Sequence, residues 1–299
     1  MTVTELPGSS APAAGPIVDR PGIYEMTNEQ YHADPVPGGS LSSTGARRLL
    51  APSCPARYKY ERDHGRAPKR HFDIGHAAHK LVLGTGPELA LIDADEWRTA
   101  KVKAAVVEAR ERGAVPLKPA EWEQVHAMAE AIRQHPVASV LFAPGRGRPE
   151  QALFWWDQQS RVIRRAMFDW LPDRGADRLV VPDYKTTTAA DLESIAKAVE
   201  KYGYHQQGAW YLDGAKALGL HGGVEPAFVF VVQEKAAPYL VTVVELDVVA
   251  LRIGQARNRR ALEIYRECTD SGRWPGYSDD VELIALPAWA EARDTEEYL

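Results

Sequence analysis

The chain reads as an α/β protein, a mixed central β-sheet flanked by helices with a helical amino-terminal layer, and three observations lead there. Between about residues 72 and 134 apolar residues recur at helical spacing. From residue 151 the pattern changes to strict alternation in β-branched and aromatic runs. Beyond residue 189 the strand-like runs are separated by helix-like ones.

Each element has a local cause. Ser40-Leu41-Ser42-Ser43-Thr44 offers hydroxyl caps to a short helix over Ala46–Leu50, and Pro55 opens a second helix over Ala56–Asp63. A third helix fits Phe72–Leu83 and stops at Gly84; two longer amphipathic ones fit Glu96–Arg112 and Pro119–Gln134. Strands are expected at Gln151–Trp156, Val162–Leu171, Leu179–Thr186, Ala227–Gln233 and Tyr239–Leu246. Helices over Ala189–Lys201, His205–Ala217 and Val248–Cys268 complete the pattern. Residues 1–20, rich in Pro, Ala, Gly and Ser without periodicity, are expected to form a disordered tail. No linker divides the remainder, so residues 21–299 are taken as one domain: mainly helical over 21–145, a sheet core over 146–270, and an irregular segment over 271–299.

Composition narrows the function. With 299 residues and 45% hydrophobic content, the chain can bury a large core. It has no apolar run near the roughly 18 residues that a membrane helix needs, and no basic-then-apolar leader, so a cytoplasmic, non-membrane protein is expected. Cys54 and Cys268 are its only cysteines, too few for a disulfide framework or an all-cysteine metal cluster. The net charge of −5 excludes a uniformly basic surface. Locally the balance reverses between Arg47 and Arg70, where eight basic residues, Arg48, Arg66 and Lys69 among them, face two acids. That stretch suits either a phosphate-binding groove or a solvated helical face.

The chemistry concentrates around residues 164–211. Val181-Pro182-Asp183-Tyr184-Lys185 sets a carboxylate and an ammonium two apart on one strand face. The preceding strand carries Asp169, and Asp169 and Asp183 are equidistant from Ala176. A hairpin centred on Ala176 would oppose the two carboxylates about 5 Å apart on one face, where only a cation relieves their repulsion. Mg²⁺, with Mn²⁺ as a substitute, matches such oxygen donors, and the set suits metal-assisted phosphodiester hydrolysis. His79 lies four residues after Gly75 on the third helix and completes a metal shell or serves the structure; His71 and His76 are its neighbours. Gln207 and Tyr211, also four apart, either hold a phosphate or pack a strand end. Glu150 is either an additional acid near the site or an exposed strand-end residue. Arg161, Arg164 and Arg165 suit phosphate contact or, equally, a soluble sheet edge.

In this order, Gly75-x-x-x-His79, Asp169, Asp183-Tyr184-Lys185 and Gln207-x-x-x-Tyr211 resemble the RecB-like branch of the PD-(D/E)XK nuclease superfamily, most of all the phage and prophage RecE-type exonucleases (exonuclease VIII). Leu41-Ser42-Ser43 and Cys54-Pro55 are similar to that family's amino-terminal helices. The resemblance implies a restriction-endonuclease-like fold and a Mg²⁺-dependent enzyme degrading linear double-stranded DNA from 5′ to 3′. The 3′ single-stranded tails would serve recombination through a RecT-type annealing partner, and a ring-like homo-oligomer, trimer or tetramer, is implied too. His79, Asp169, Asp183 and the Tyr184 backbone carbonyl would hold the metal, and Lys185 would orient or deprotonate water. Gln207 and Tyr211 would assist, while Ser42, Ser43, Arg47, Arg48, Arg164 and Arg165 would grip DNA. Some relatives carry an iron–sulfur cluster on four cysteines; here only Cys268 lies late in the chain, so no cluster is expected. No Gly-x-x-x-x-Gly-Lys-Ser loop is present, and no use of ATP is expected. The alternatives are a structure-selective endonuclease and a non-catalytic protein that binds DNA ends.

Overall fold

A computed structural model describes residues 17–65, 73–173, 175 and 178–299. Most of the expected amino-terminal tail, the basic residues Arg66, Lys69 and Arg70, His71, and Ala176 at the centre of the expected hairpin lie outside the described residues.

The first half is helical with short strands between. In order it comprises β1 (Gly22–Glu25), α1 (Asn28–His32), β2 (Leu41–Ser42), α2 (Ser43–Arg48), α3 (Pro55–His64), α4 (Asp73–Leu83), β3 (Leu89–Leu91), α5 (Ala100–Glu111), β4 (Val115–Leu117), α6 (Pro119–Gln134) and α7 (Ala138–Leu141). The second half contains β5 (Gly147–Trp156), β6 (Ile163–Pro172), β7 (Val180–Thr187), α8 (Leu192–Tyr202), α9 (Tyr204–Ala217), β8 (Ala227–Glu234), β9 (Val241–Glu245), α10 (Val248–Ser271) and α11 (Ala288–Tyr298). Helix starts follow the capping rules. Ser42 Oγ accepts the Gly45 N–H, Asp191 the Ser194 N–H and Asp247 the Ala250 N–H.

Two mixed sheets make the centre. One has the strand order β1-β5-β6-β2, with β2 parallel to β6; the other runs β7-β8-β9, with β7 parallel to β8. They adjoin where β6 passes β7. The expected β6–β7 hairpin is not formed among the described residues. Strand β6 spends its ladder bonds on β5 and β2, strand β7 on β8, and a side chain crosses between them: the Tyr184 N–H donates to Asp169 Oδ2 at 2.8 Å.

Helix α9 fastens this seam, because its buried face touches β5 and β6 of one sheet and β8 of the other. Trp210, fully buried, donates its indole N–H to the Arg165 carbonyl at 3.0 Å. Tyr211 stacks on Phe168 of β6 at 5.1 Å and meets Phe228 of β8 edge-on at 5.2 Å. Burying such rings stabilises the fold by about 2–3 kcal/mol each. Helix α10 then crosses α9 with almost no separation: a Cβ on Gly254 would lie 2.1 Å from the His205 carbonyl oxygen.

The segment 271–299, expected to be irregular, contains α11. After Pro287 the apolar residues bunch at the two ends, Ala288–Ala290 with Ala292 and then Tyr298–Leu299, around a polar middle, so the helical periodicity by which a helix is recognised is missing.

Candidate active site

The seam between β6 and β7 collects side chains from four elements. On β7, period-two alternation puts Asp183 and Lys185 on the face toward α9 and Tyr184 on the other. Lys185 Nζ lies 2.6 Å from Asp183 Oδ2, and Gln207 Nε2 of α9 donates to Asp183 Oδ1 at 2.7 Å. Tyr211 lies one turn after Gln207 on the same helix, and Gln207 lowers the pKa that burial raises for its hydroxyl. From the other side comes α4, which approaches β7 closely because Gly75 faces Thr186; a Cβ there would stand 3.3 Å from Thr186 Oγ1. That approach sets His79 Nε2 at 3.4 Å from Asp169 Oδ2.

The expectation of two acids opposed on one face therefore needs correction. Asp169 is met by His79 of α4 and Asp183 by Gln207 of α9, so the carboxylates reach the seam from opposite layers. Among the described residues, no three His, Cys, Asp or Glu side chains close on a common point where a metal would sit.

The electrostatics record the crowding. Burial lifts the Asp183 carboxyl to about 6; Lys185 opposes the rise and Asp169 adds to it. Burial alone would raise Asp169, but the charge and hydrogen bond of His79, with Lys185 and the Tyr184 N–H, bring it below the ordinary carboxylate value. Burial disfavours charge on His79, yet Asp169 and Glu150 outweigh it and raise the imidazole. Lys185 is likewise raised, its burial outweighed by Asp183 and Asp169. Asp183 Oδ2 is buried and accepts no well-formed hydrogen bond, its company being the Lys185 ammonium. A buried carboxylate oxygen so placed, beside a second carboxylate and a strand edge, offers the hard oxygen donors that a divalent cation prefers. The donor chemistry suits a Mg²⁺-type ion without a closed ligand shell, and Asp169 and Asp183 are the residues that would hold it. Within a strand, a residue's N–H and C=O leave on the same side, so the Tyr184 carbonyl shares the edge facing Asp169.

Glu150 stands next to this group. It adopts φ 45°, a left-handed conformation uncommon for a residue with a side chain, at a position beside β6 residues 168–170. Its Oε1 lies 3.9 Å from His79 Nδ1 and accepts from Asn28 Nδ2 at 3.0 Å. Glu150 is half-buried beside His79, so it is not an exposed strand end.

The proposed DNA-gripping residues divide. Ser42 serves as the cap of α2 and Ser43 opens that helix, both half-buried. Arg48 pairs with Glu61 of α3. Arg47 donates to the Tyr202 carbonyl and so reaches the α8–α9 junction beside Tyr204, whose ring lies 5.4 Å beneath Lys185 Nζ. Arg164 and Arg165 do not face solvent. Arg164 is 3% exposed, ion-paired with Asp157 and Asp213, and lies 3.9 Å over the Trp210 ring. Arg165 is 9% exposed, paired with Asp34 at 2.6 Å and bonded to Ser40. Both guanidiniums are internal struts, and phosphate contact is withdrawn for them. Arg161 is exposed, and His76 points outward from α4.

Sequence reasoning missed three supporting residues. Asn28 orients Glu150, Tyr204 underlies Lys185, and Gln233 holds Tyr184 in place. The Tyr184 hydroxyl donates to Gln233 Oε1 at 2.5 Å, and Gln233 Nε2 donates to the Met128 carbonyl at 2.9 Å and the Tyr239 carbonyl at 3.2 Å. A glutamine ending an apolar strand was the one available signal; nothing in the sequence ties Asn28 to residue 150.

Comparison with known proteins agrees with this architecture. A family model described as "PDDEXK-like domain of unknown function (DUF3799)" matches residues 42–287. No curated protein matches the chain. Among solved structures, one described as "Putative exonuclease" from Eubacterium rectale superposes with TM-score 0.56 at 12% identity, covering 90% of this chain and 98% of that one. SSO0001 superposes with TM-score 0.30 at 10% identity, covering 73% of this chain and 84% of its own.

Proposed function

The chain belongs to the PDDEXK-like family that matches residues 42–287, and from that membership and the seam's geometry we propose that it is a divalent-metal-dependent deoxyribonuclease. The observation that carries the reading is the meeting of the Asp183–Lys185 pair, 2.6 Å apart, with the Asp169–His79 pair, 3.4 Å apart, on either side of the Tyr184 N–H.

Asp169, Asp183 and the Tyr184 carbonyl would hold the ion, with His79 orienting Asp169 or joining the shell and Glu150 the nearest further acid. When bound, the cation supplies Lewis-acid stabilisation of phosphoryl charge and makes water a better nucleophile near neutral pH. Lys185 is half-buried and charged, so it would orient water and meet charge developing on the phosphate. Gln207 holds the second oxygen of Asp183, leaving Oδ2 directed at the reacting centre. Mg²⁺ is the proposed ion, with Mn²⁺ able to replace it.

The finer reading is an exonuclease of RecE type that works 5′ to 3′ on linear duplex ends and leaves 3′ tails for a RecT-type annealing protein, as a ring of three or four subunits. Support comes from the ordered motifs between Gly75 and Tyr211 and from the exonuclease description of the Eubacterium rectale protein that shares the fold. The test is digestion of matched linear and covalently closed circular DNA, 5′- or 3′-labelled, in Mg²⁺, Ca²⁺ or EDTA. Mg²⁺-dependent release from linear DNA, lost in a folded Asp183→Ala variant, is expected. Rapid loss of the circle would replace exonuclease by endonuclease action. No release by the wild type, or equal release by the variant, would overturn the reading.

A further inference from the structure

At the junction of α8 and α9 the chain presents two tyrosines among three cations. Tyr202 ends α8 and is 48% exposed; Tyr204 begins α9, the ring centroids are 5.7 Å apart and their planes are inclined by 32°. Between them Gly203 turns the chain at φ 68° and ψ 36°, a left-handed conformation that caps one helix and starts the next. The step is rigid. Tyr204 stacks on Phe230 of β8 at 5.1 Å, and the Arg47 stem packs over Gly203 while its guanidinium donates to the Tyr202 carbonyl.

The surroundings are cationic in a chain of net charge −5. Lys201 Nζ lies 5.5 Å from the Tyr202 ring and Lys185 Nζ 5.4 Å from the Tyr204 ring, with Arg47 alongside. Asp183, already paired with Lys185, and exposed Glu200 are the neighbouring acids. A half-exposed tyrosine at a helix end is ordinarily a surface residue. This one is separated by a single ring from the ammonium of the Asp183–Lys185 pair, and it is the outer tread of an aromatic step that descends to that pair.

We propose that the Tyr202–Tyr204 step is a stacking subsite for an unpaired terminal nucleobase of DNA, with Arg47 and Lys201 against the adjoining phosphates. The proposal rests on the nuclease reading for its substrate class. Every base has a π-face, so an aromatic tread with flanking cations binds without regard to sequence, as a general deoxyribonuclease requires. Bases inside a duplex have both faces covered by their neighbours, so this tread selects ends.

Binding of two fluorescent duplexes tests it, one with a two-nucleotide overhang carrying 2-aminopurine and phosphorothioate linkages, the other a covalently closed circle with every base paired, in Ca²⁺. Tyr202→Ala is expected to loosen the overhang duplex about tenfold and abolish 2-aminopurine quenching. Its affinity for the closed duplex and its melting temperature should stay those of the wild type, and Tyr202→Trp should bind the overhang at least as tightly as wild type. Unchanged overhang binding by Tyr202→Ala, or equal loss on both duplexes, would overturn the subsite. The two readings fail separately: a wild type that releases nucleotides with no need of Tyr202 sinks the subsite alone, whereas Tyr202-dependent end binding without any Mg²⁺-dependent release sinks the nuclease alone.

Discussion

Substituting Asp183 by asparagine should make the protein relatively more stable as pH rises, against the usual expectation for an acid beside a lysine. In the folded chain the Asp183 carboxyl is lifted from 3.8 to about 6, by burial first and Asp169 second. A raised carboxyl contributes stability that is full below 3.8 and lost as pH climbs through about 6. At about 1.4 kcal/mol per pH unit the loss comes to about 3 kcal/mol. Asparagine cannot ionise and keeps nearly the same shape. Lys185 stays charged across the whole window, so its weakened pairing in the variant is a constant offset. It cancels when two pH values are compared. Urea denaturation of both proteins in EDTA at pH 4.5 and 7.5 supplies the difference, with equal m-values required for the comparison. Because about a third of the loss has already occurred by pH 4.5, the wild type should lose about 2 kcal/mol relative to Asp183→Asn between the two. Adding Mg²⁺ at pH 7.5 should return about 3 kcal/mol to the wild type at a hundred times the dissociation constant, and much less to the variant. Parallel pH profiles for the two proteins would refute the account of a carboxylate held at a cost, and a wild type gaining on the variant with pH would show that Lys185 outweighs burial.

Other outcomes follow from neighbouring contacts. Gly254→Ala puts a methyl 2.1 Å from the His205 carbonyl oxygen; overpacking outweighs the helix-propensity gain, and a net loss of about 1–3 kcal/mol is expected in urea melts. Nucleotide release should fall with it, because Asn258 Nδ2 donates to the Gln206 carbonyl and that crossing sets Gln207. Tyr184→Phe removes the hydroxyl that Gln233 accepts at 2.5 Å and should destabilise by about 1–2 kcal/mol. With Gln233→Leu it should show a coupling of at least 0.5 kcal/mol in a double-mutant cycle; additive effects would mean that the buried amide does not position Tyr184.

The legible part of the fold was the part whose causes are local. Proline at the first turn and apolar spacing define α6 from Pro119 to Gln134, the span expected of it, and alternation located all five long strands to within a few residues. Strands β1, β2, β3 and β4 escaped because each is two to four residues long and exists only through partners far along the chain, such as Gly22 on Phe154. The same distance misled the reading of Arg164 and Arg165. Their neutralising partners Asp34, Asp157 and Asp213 come from other elements, so a basic pair that looked solvated is buried.

The hairpin error is the more instructive, because the symmetry of Asp169 and Asp183 about Ala176 is real and the pairing inferred from it is not formed. Had β6 and β7 laddered directly, the Tyr184 N–H and carbonyl would be used up by main-chain bonds and the edge would be closed. Because β6 bonds to β2 and β5 instead, that edge stays available. Asp169 takes the N–H with its own side chain, and α4 and α9 bring His79 and Gln207 to it from opposite layers. A seam of this kind gives acids from both sheets, and a lysine beside one of them, access to one line of unpaired main chain. The interruption of the sheet is therefore what leaves that line of main chain accessible, and α9, through Trp210 and Tyr211, is what keeps the interrupted sheet together.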